Sequence, residues 1–109
     1  MAKKDKISAS HILIMYNESQ NSKSKISKDE ALKIITKIHK KVLKDKSLFK
    51  DEAINNSDCS SSEYGGSLGE FGRGVMVKEF EDTAFSLDVD QISEPFETSF
   101  GYHIVKRDS

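Results

Sequence analysis

Residues 57–80 read Ser-Asp-Cys-Ser-Ser-Ser-Glu-Tyr-Gly-Gly-Ser-Leu-Gly-Glu-Phe-Gly-Arg-Gly-Val-Met-Val-Lys-Glu-Phe, and five of the chain's six glycines fall within positions 65–74. Glycine at this density marks a strand whose backbone takes unusual dihedral angles or is closely approached by another segment. Downstream, residues 79–87 form a short acidic helix with Phe80, Thr83, Ala84 and Leu87 at i, i+3, i+4 and i+7. Pro95 then closes the turn into a last strand, 102–107, with Tyr102 and Ile104 on one side and His103 and Val105 on the other.

Upstream, residues 7–16 are apolar and rich in β-branched types, which reads as a buried strand. Ala9, His11, Leu13 and Met15 share one face, and Ser10, Ile12, Ile14 and Tyr16 the other. Residues 17–25 contain no apolar side chain and form a long exposed loop. Ser27-Lys-Asp-Glu30 is a capping box that opens a helix. Ala31, Ile34, Ile35, Ile38 and Val42 make its apolar stripe, opposite Lys33, Lys37, Lys40 and Lys44. A shorter helix covers residues 48–55 and ends at Asn55-Asn56-Ser57. The order strand, loop, helix, helix, glycine-rich strand, helix, strand lacks βαβ alternation and predicts an α+β fold with a small, mainly antiparallel sheet.

A chain of 109 residues, 36% hydrophobic and 32% charged, builds one compact domain. Residues 7–109 are expected to form it, with 1–6 as a flexible tail. No apolar run approaches the roughly 18 residues that cross a bilayer, and the charged start lacks a secretory apolar stretch. The expectation is a soluble, unexported monomer with no membrane partner. The single Cys59 leaves no internal disulfide and no Cys-x-x-Cys, which fits a reducing compartment, cytoplasm or nucleus. A net charge of -1 gives no overall pull toward nucleic acid, and the lysines between 23 and 50 read as a solvated helix face.

Several chemistries fall away on residue type. The Walker pattern is missing, and no Gly-x-Gly-x-x-Gly separates a clear strand from a helix. In an RNA-recognition strand over residues 73–80, aromatic stacking positions would hold Val75 and Val77. Zinc lacks the usual close ligand pairs, so neither a metal nor any other cofactor is expected. Cys59 with His11 or His103 has the composition of a thiol-imidazole pair, although so small a chain leaves little room for a hydrolase cleft. Taken singly, each histidine on a strand reads as a core side chain with its nitrogens satisfied.

Taken together, Ser57-Asp58-Cys59-Ser60-Ser61, Gly66-Ser-Leu68-Gly69-Glu-Phe71, Arg73-Gly74-Val-Met76, Phe80-Glu81-Asp82-Thr-Ala84-Phe85 and Phe100-Gly101-Tyr102-His103-Ile104 resemble, in order and spacing, the parvulin family of peptidyl-prolyl cis/trans isomerases. Ala9-Ser10-His11-Ile12-Leu13 is similar to that family's first strand, and Asp58-Cys59-Ser60-Ser61 points to its Pin-type branch. The resemblance implies a four-stranded antiparallel sheet ringed by about four helices. Leu68, Met76 and Phe80 match the pocket for the substrate proline ring. His11, Cys59, Thr98 and His103 match the polar cluster around the rotating bond. The implied activity is rotation of X-Pro bonds in proline-containing peptides or proteins. The other functional class on this scaffold is a proline-peptide module without turnover, which would need the apolar pocket alone.

The match departs at the site that binds phosphate in phosphoserine- or phosphothreonine-directed members. The strand position held there by a lysine is Met15, and the loop has no arginine. Lys23 and Lys25 are its candidate phosphate ligands, so preference for acidic or phosphorylated Ser/Thr-Pro sites stands as one of two open readings. With no tryptophan, the chain contains no WW module, and Phe100 is more like the bacterial form of the closing motif.

Overall fold

The computed structural model describes residues 6–19 and 24–109. Positions 1–5 of the expected tail and the candidate Lys23 lie outside the described residues, and Lys6 already belongs to the first strand. The elements are β1 (Lys6–Ile14), α1 (Lys28–Lys44), α2 (Leu48–Asn56), a 3-10 helix (Ser60–Tyr64), β2 (Ser67–Gly72), α3 (Lys78–Ser86), β3 (Phe96–Thr98) and β4 (Gly101–Arg107). The four strands form one antiparallel sheet in the order β2-β1-β4-β3. The fold is therefore α+β, with three α-helices and a 3-10 helix where about four helices were expected.

Alternation along the central strands separates two cores. Ile12, Ile14, Tyr16 and Ile104 pack with Ala31, Ile35, Ile38 and Val42 of α1 and with Phe49 and Ala53 of α2. On the other side Ile7, Ala9, Phe71 and Val105 pack with Phe80, Ala84 and Leu87 around α3. The Ser27 hydroxyl caps α1 by accepting from the Glu30 amide at 3.2 Å, as the capping box requires. The Glu30 carboxylate accepts from that same hydroxyl at 3.3 Å.

One member of the expected stripe moves out of it. Ile34 is exposed, while His39 is buried with its Nε2 3.8 Å from Glu94. Ile92, in an isolated bridge to Lys106, brings that returning segment into the core beside α1. A partner from a distant segment thus shifts the buried face, which helical spacing alone could not foresee. β3 also escaped the sequence reading, because three residues are too few to display alternation.

Candidate active site

His11 and His103 stand on the two central strands, on the face shared with α3. Pairing of Leu13 with His103 and of His11 with Val105 sets the two rings on a diagonal, with Nδ1 to Nδ1 3.3 Å apart. The Thr98 Oγ1 lies 2.7 Å from His103 Nε2 and accepts from the Phe100 amide at 3.2 Å. Aromatic rings enclose the pair. Phe96 stacks on His103 at 5.3 Å, and Phe80 meets His11 and His103 edge-on at 5.4 and 5.6 Å. His11, His103 and Thr98 are all buried.

The segment bearing Cys59 is stitched to the end of β1. The Leu13 amide donates to Ser57 Oγ at 3.0 Å, the Asp58 amide donates to the Leu13 carbonyl at 2.7 Å, and the Met15 amide donates to Asp58 Oδ2 at 2.8 Å. These bonds place the half-buried Cys59 beside His11. Hydrogen bonding from the His11 imidazole is the main force lowering the Cys59 thiol to about 6; burial opposes it, and the Ser61 hydroxyl and amide assist. Among the described residues, His11 Nε2 and Ser61 Oγ are the buried side-chain atoms without an aligned hydrogen-bond partner.

Burial, with His11 adding to it, pushes His103 down to about 3, so its ring is neutral and carries a single N–H. Two proton arrangements are consistent with the two ring contacts and with the pull of His11 on the thiol. In one, the Cys59 thiol donates to His11 Nε2, His11 Nδ1–H to His103 Nδ1, and His103 Nε2–H to Thr98. In the other, the Thr98 hydroxyl donates to His103 Nε2, His103 Nδ1–H to His11 Nδ1, and His11 Nε2–H to a Cys59 thiolate. The second has one proton fewer, lost from the thiol, and the opposite tautomer of each imidazole; the lowering of the Cys59 thiol to about 6 favours it at neutral pH.

This yields a measurable titration. Alkylation of Cys59 by iodoacetamide is expected to rise through a midpoint near pH 6, against about 8.5 for a free cysteine. His11→Ala should move the midpoint upward, and an unmoved midpoint would contradict the pairing. Because the folded pKa lies below the unfolded one, the linked stability is full above the unfolded value and is lost as pH falls through about 6.

A cleft of about 530 Å³ opens beside this cluster. Leu68, Met76 and Phe80 line it together with His11, Cys59 and His103, so six of the residues singled out from the sequence converge there. Thr98 is not among the lining residues and reaches the cleft through His103. Lys25 is exposed and does not line it. Val75 and Val77, absent from the expected pocket, contribute to the lining while remaining exposed, an unusual placement that only the folded chain reveals. Phe96 was missed with its strand. Arg73 is engaged elsewhere, paired with Glu81 at 3.1 Å and lying 4.3 Å from the Phe85 ring centroid.

The arrangement joins an apolar cup to a partly dry thiol-imidazole network. The PPIC-type PPIase (rotamase) domain family matches residues 11–109. The peptidyl-prolyl cis-trans isomerase Pin1 of Digitalis lanata is 38% identical over 113 residues, spanning 94% of this chain and 96% of that protein. Pin1 of Schizosaccharomyces pombe is 45% identical over 109 residues, spanning 94% of this chain and 62% of that protein. Peptidyl-prolyl isomerase ESS1 from Candida albicans superposes with a TM-score of 0.93 at 34% identity, covering 96% of this chain and 63% of that one. By these matches in sequence and fold, the chain belongs to the PPIC-type, or parvulin, peptidyl-prolyl cis-trans isomerases, in their Pin-type branch.

Proposed function

We propose that this isomerase rotates X-Pro bonds without covalent chemistry, seating the proline ring on Leu68, Met76 and Phe80 and the preceding carbonyl beside Cys59 and His11. The observation that carries this reading is that the apolar cup and the polar network line the same cleft. An X-Pro bond resists rotation by about 18–20 kcal/mol because twisting removes amide resonance. The planar amide is the more charge-separated form, so a cleft of low polarity penalises it relative to the twisted one. A thiolate near the carbonyl oxygen acts in the same sense, because it repels the negative charge that resonance places there. The reaction moves no proton, and the imidazole pair serves to orient the sulfur and Thr98. A module that only bound proline would need the cup and not this network.

The substrate we favour carries an uncharged or basic residue before the proline. Among the described residues no lysine or arginine lines the cleft, and the charged residue at its edge is Asp58. The phosphate reading rests on Lys25, which is exposed, and on Lys23, outside the described residues.

An NMR exchange assay on Ala-Pro, Arg-Pro, Glu-Pro and phospho-Ser-Pro peptides tests both points. Ala-Pro and Arg-Pro should be turned over faster than the other two, whereas a clear preference for phospho-Ser-Pro would reverse the assignment. Binding of all four with no gain in exchange would support the non-catalytic module. In the same assay Cys59→Ala should lower turnover by about threefold to tenfold while the fold persists. A trapped covalent adduct on Cys59 with complete loss in the variant would refute the non-covalent route.

A further inference from the structure

β3 is the thinnest part of the frame around the imidazole pair. It has three residues, it lies at the sheet edge, and it pairs with β4 alone. So short an edge strand holds weakly by its ladder. Yet it supplies two of the groups that fix the His103 ring, Phe96 stacked on its face and Thr98 bonded to its Nε2.

Glu97, between them, points to the opposite face and is tied down there. Its carboxylate accepts from the Tyr16 hydroxyl at 2.5 Å and pairs with the Lys28 ammonium at 3.1 Å. The Lys28 ammonium also lies 5.8 Å from the Tyr16 ring centroid, and that ring meets Tyr102, the cross-strand neighbour of Glu97, edge-on at 5.8 Å. Tyr16 is buried in the core beneath α1. The hydrogen bond to Glu97, with burial behind it, pushes the phenol up to about 12, so it remains a donor. Lys28 is the first residue of α1, where the helix dipole disfavours a cation, and its pairing with Glu97 gives that placement a reason.

We infer that Glu97 is a positioning residue of the isomerase: anchored by Tyr16 and Lys28, it pins β3 so that Phe96 and Thr98 hold His103 in register with His11 and Cys59. The inference rests on the reading of the imidazole pair given above. It joins the segment after β1 and the start of α1 to the reactive cluster through one carboxylate, which none of the residues singled out from the sequence does.

The test measures kcat and KM by NMR exchange on an Ala-Pro peptide, with 15N spectra of the imidazoles, for Glu97→Ala, Glu97→Gln, Tyr16→Phe and His103→Ala. Glu97→Ala should lower kcat by about threefold to tenfold with KM changed by less than about twofold, because a small displacement of an orienting group is felt chiefly in the transition state. The His103 ring signals should move with it. Glu97→Gln, which keeps an acceptor for Tyr16, should recover most of kcat. Tyr16→Phe removes only the hydroxyl and should follow Glu97→Ala in direction; it decides the matter if the alanine variant does not fold. Wild-type kcat with unmoved His103 signals in Tyr16→Phe, or a rise in KM at constant kcat, overturns the proposal alone. A His103→Ala protein with unaltered kcat overturns the reading of the imidazole pair and the proposal with it.

Discussion

Phe80→Ala is expected to lower stability by about 3–5 kcal/mol, the range for removing a buried phenylalanine side chain. Phe80 is 3% exposed and stands where the core and the cleft meet. It packs with Ile7, Ala9, Ala84 and Val105 in the core on the α3 side of the sheet. Its ring lies 6.2 Å from Phe71 and 6.1 Å from Phe96, and it meets both imidazoles edge-on. Truncation therefore opens a cavity, removes one wall of the apolar cleft and frees the histidine rings to tilt. Since a domain is stable by only about 5–15 kcal/mol, a loss of this size consumes a large share of the total. Phe80→Leu, costing about 1–2 kcal/mol, separates the two losses. Urea unfolding reads stability, and peptide titration reads the cup. A leucine variant that binds the Ala-Pro peptide as tightly as the wild type would remove Phe80 from the substrate site and leave it a core residue alone.

Gly66→Ala should be nearly as damaging, for a steric reason. Gly66 has φ 84°, and a Cβ there would stand 2.3 Å from the His11 carbonyl oxygen. Neither partner can yield easily, because both are backbone and the His11 amide donates to the Gly66 carbonyl at 2.9 Å. The expected cost is about 3 kcal/mol or more, and β1 must shift under His11 to relieve the clash. Gly69→Ala is the control. Gly69 has a similar φ of 71° with nothing near its missing Cβ, so it should cost only the dihedral strain, about 1–2 kcal/mol. Unfolding midpoints and iodoacetamide titration of Cys59 should show both stability and thiol reactivity disturbed in Gly66→Ala. If the two alanine variants were equally stable, the close approach of the strands at Gly66 would carry no energetic weight.

The residues that made these positions legible did so in different ways. Ser27 and Glu30 announced the start of α1 because a helix cap is a local device, and its hydroxyl-to-amide bond is formed. The crowded glycines announced backbone in positive φ, which Gly65, Gly66, Gly69 and Gly74 adopt. Alternation in β1 and β4 assigned Ile12 and Ile104 to one core and His11 and His103 to the other face, because side chains of a strand alternate whatever it pairs with. Phe96 and Glu97 were not legible. The alternation of a three-residue strand cannot be told from loop, and the value of both residues depends on what β4, α1 and Tyr16 bring to them.

From the amino-acid order alone came the three α-helices, β1, β2 and β4 and the two-faced strands, since each follows from short-range pattern, while Leu68, Met76, Phe80 and the four polar side chains were singled out by resemblance to the parvulin family. Tertiary structure alone decided that His11 and His103, 92 positions apart, meet at 3.3 Å. It also decided that Cys59 is drawn against them by bonds from β1, and that Glu97 ties the edge strand to Tyr16 and Lys28. The physical reason is the same in each case: a side chain's direction is set by its own backbone, but its neighbours are set by strand register and by contacts between remote segments.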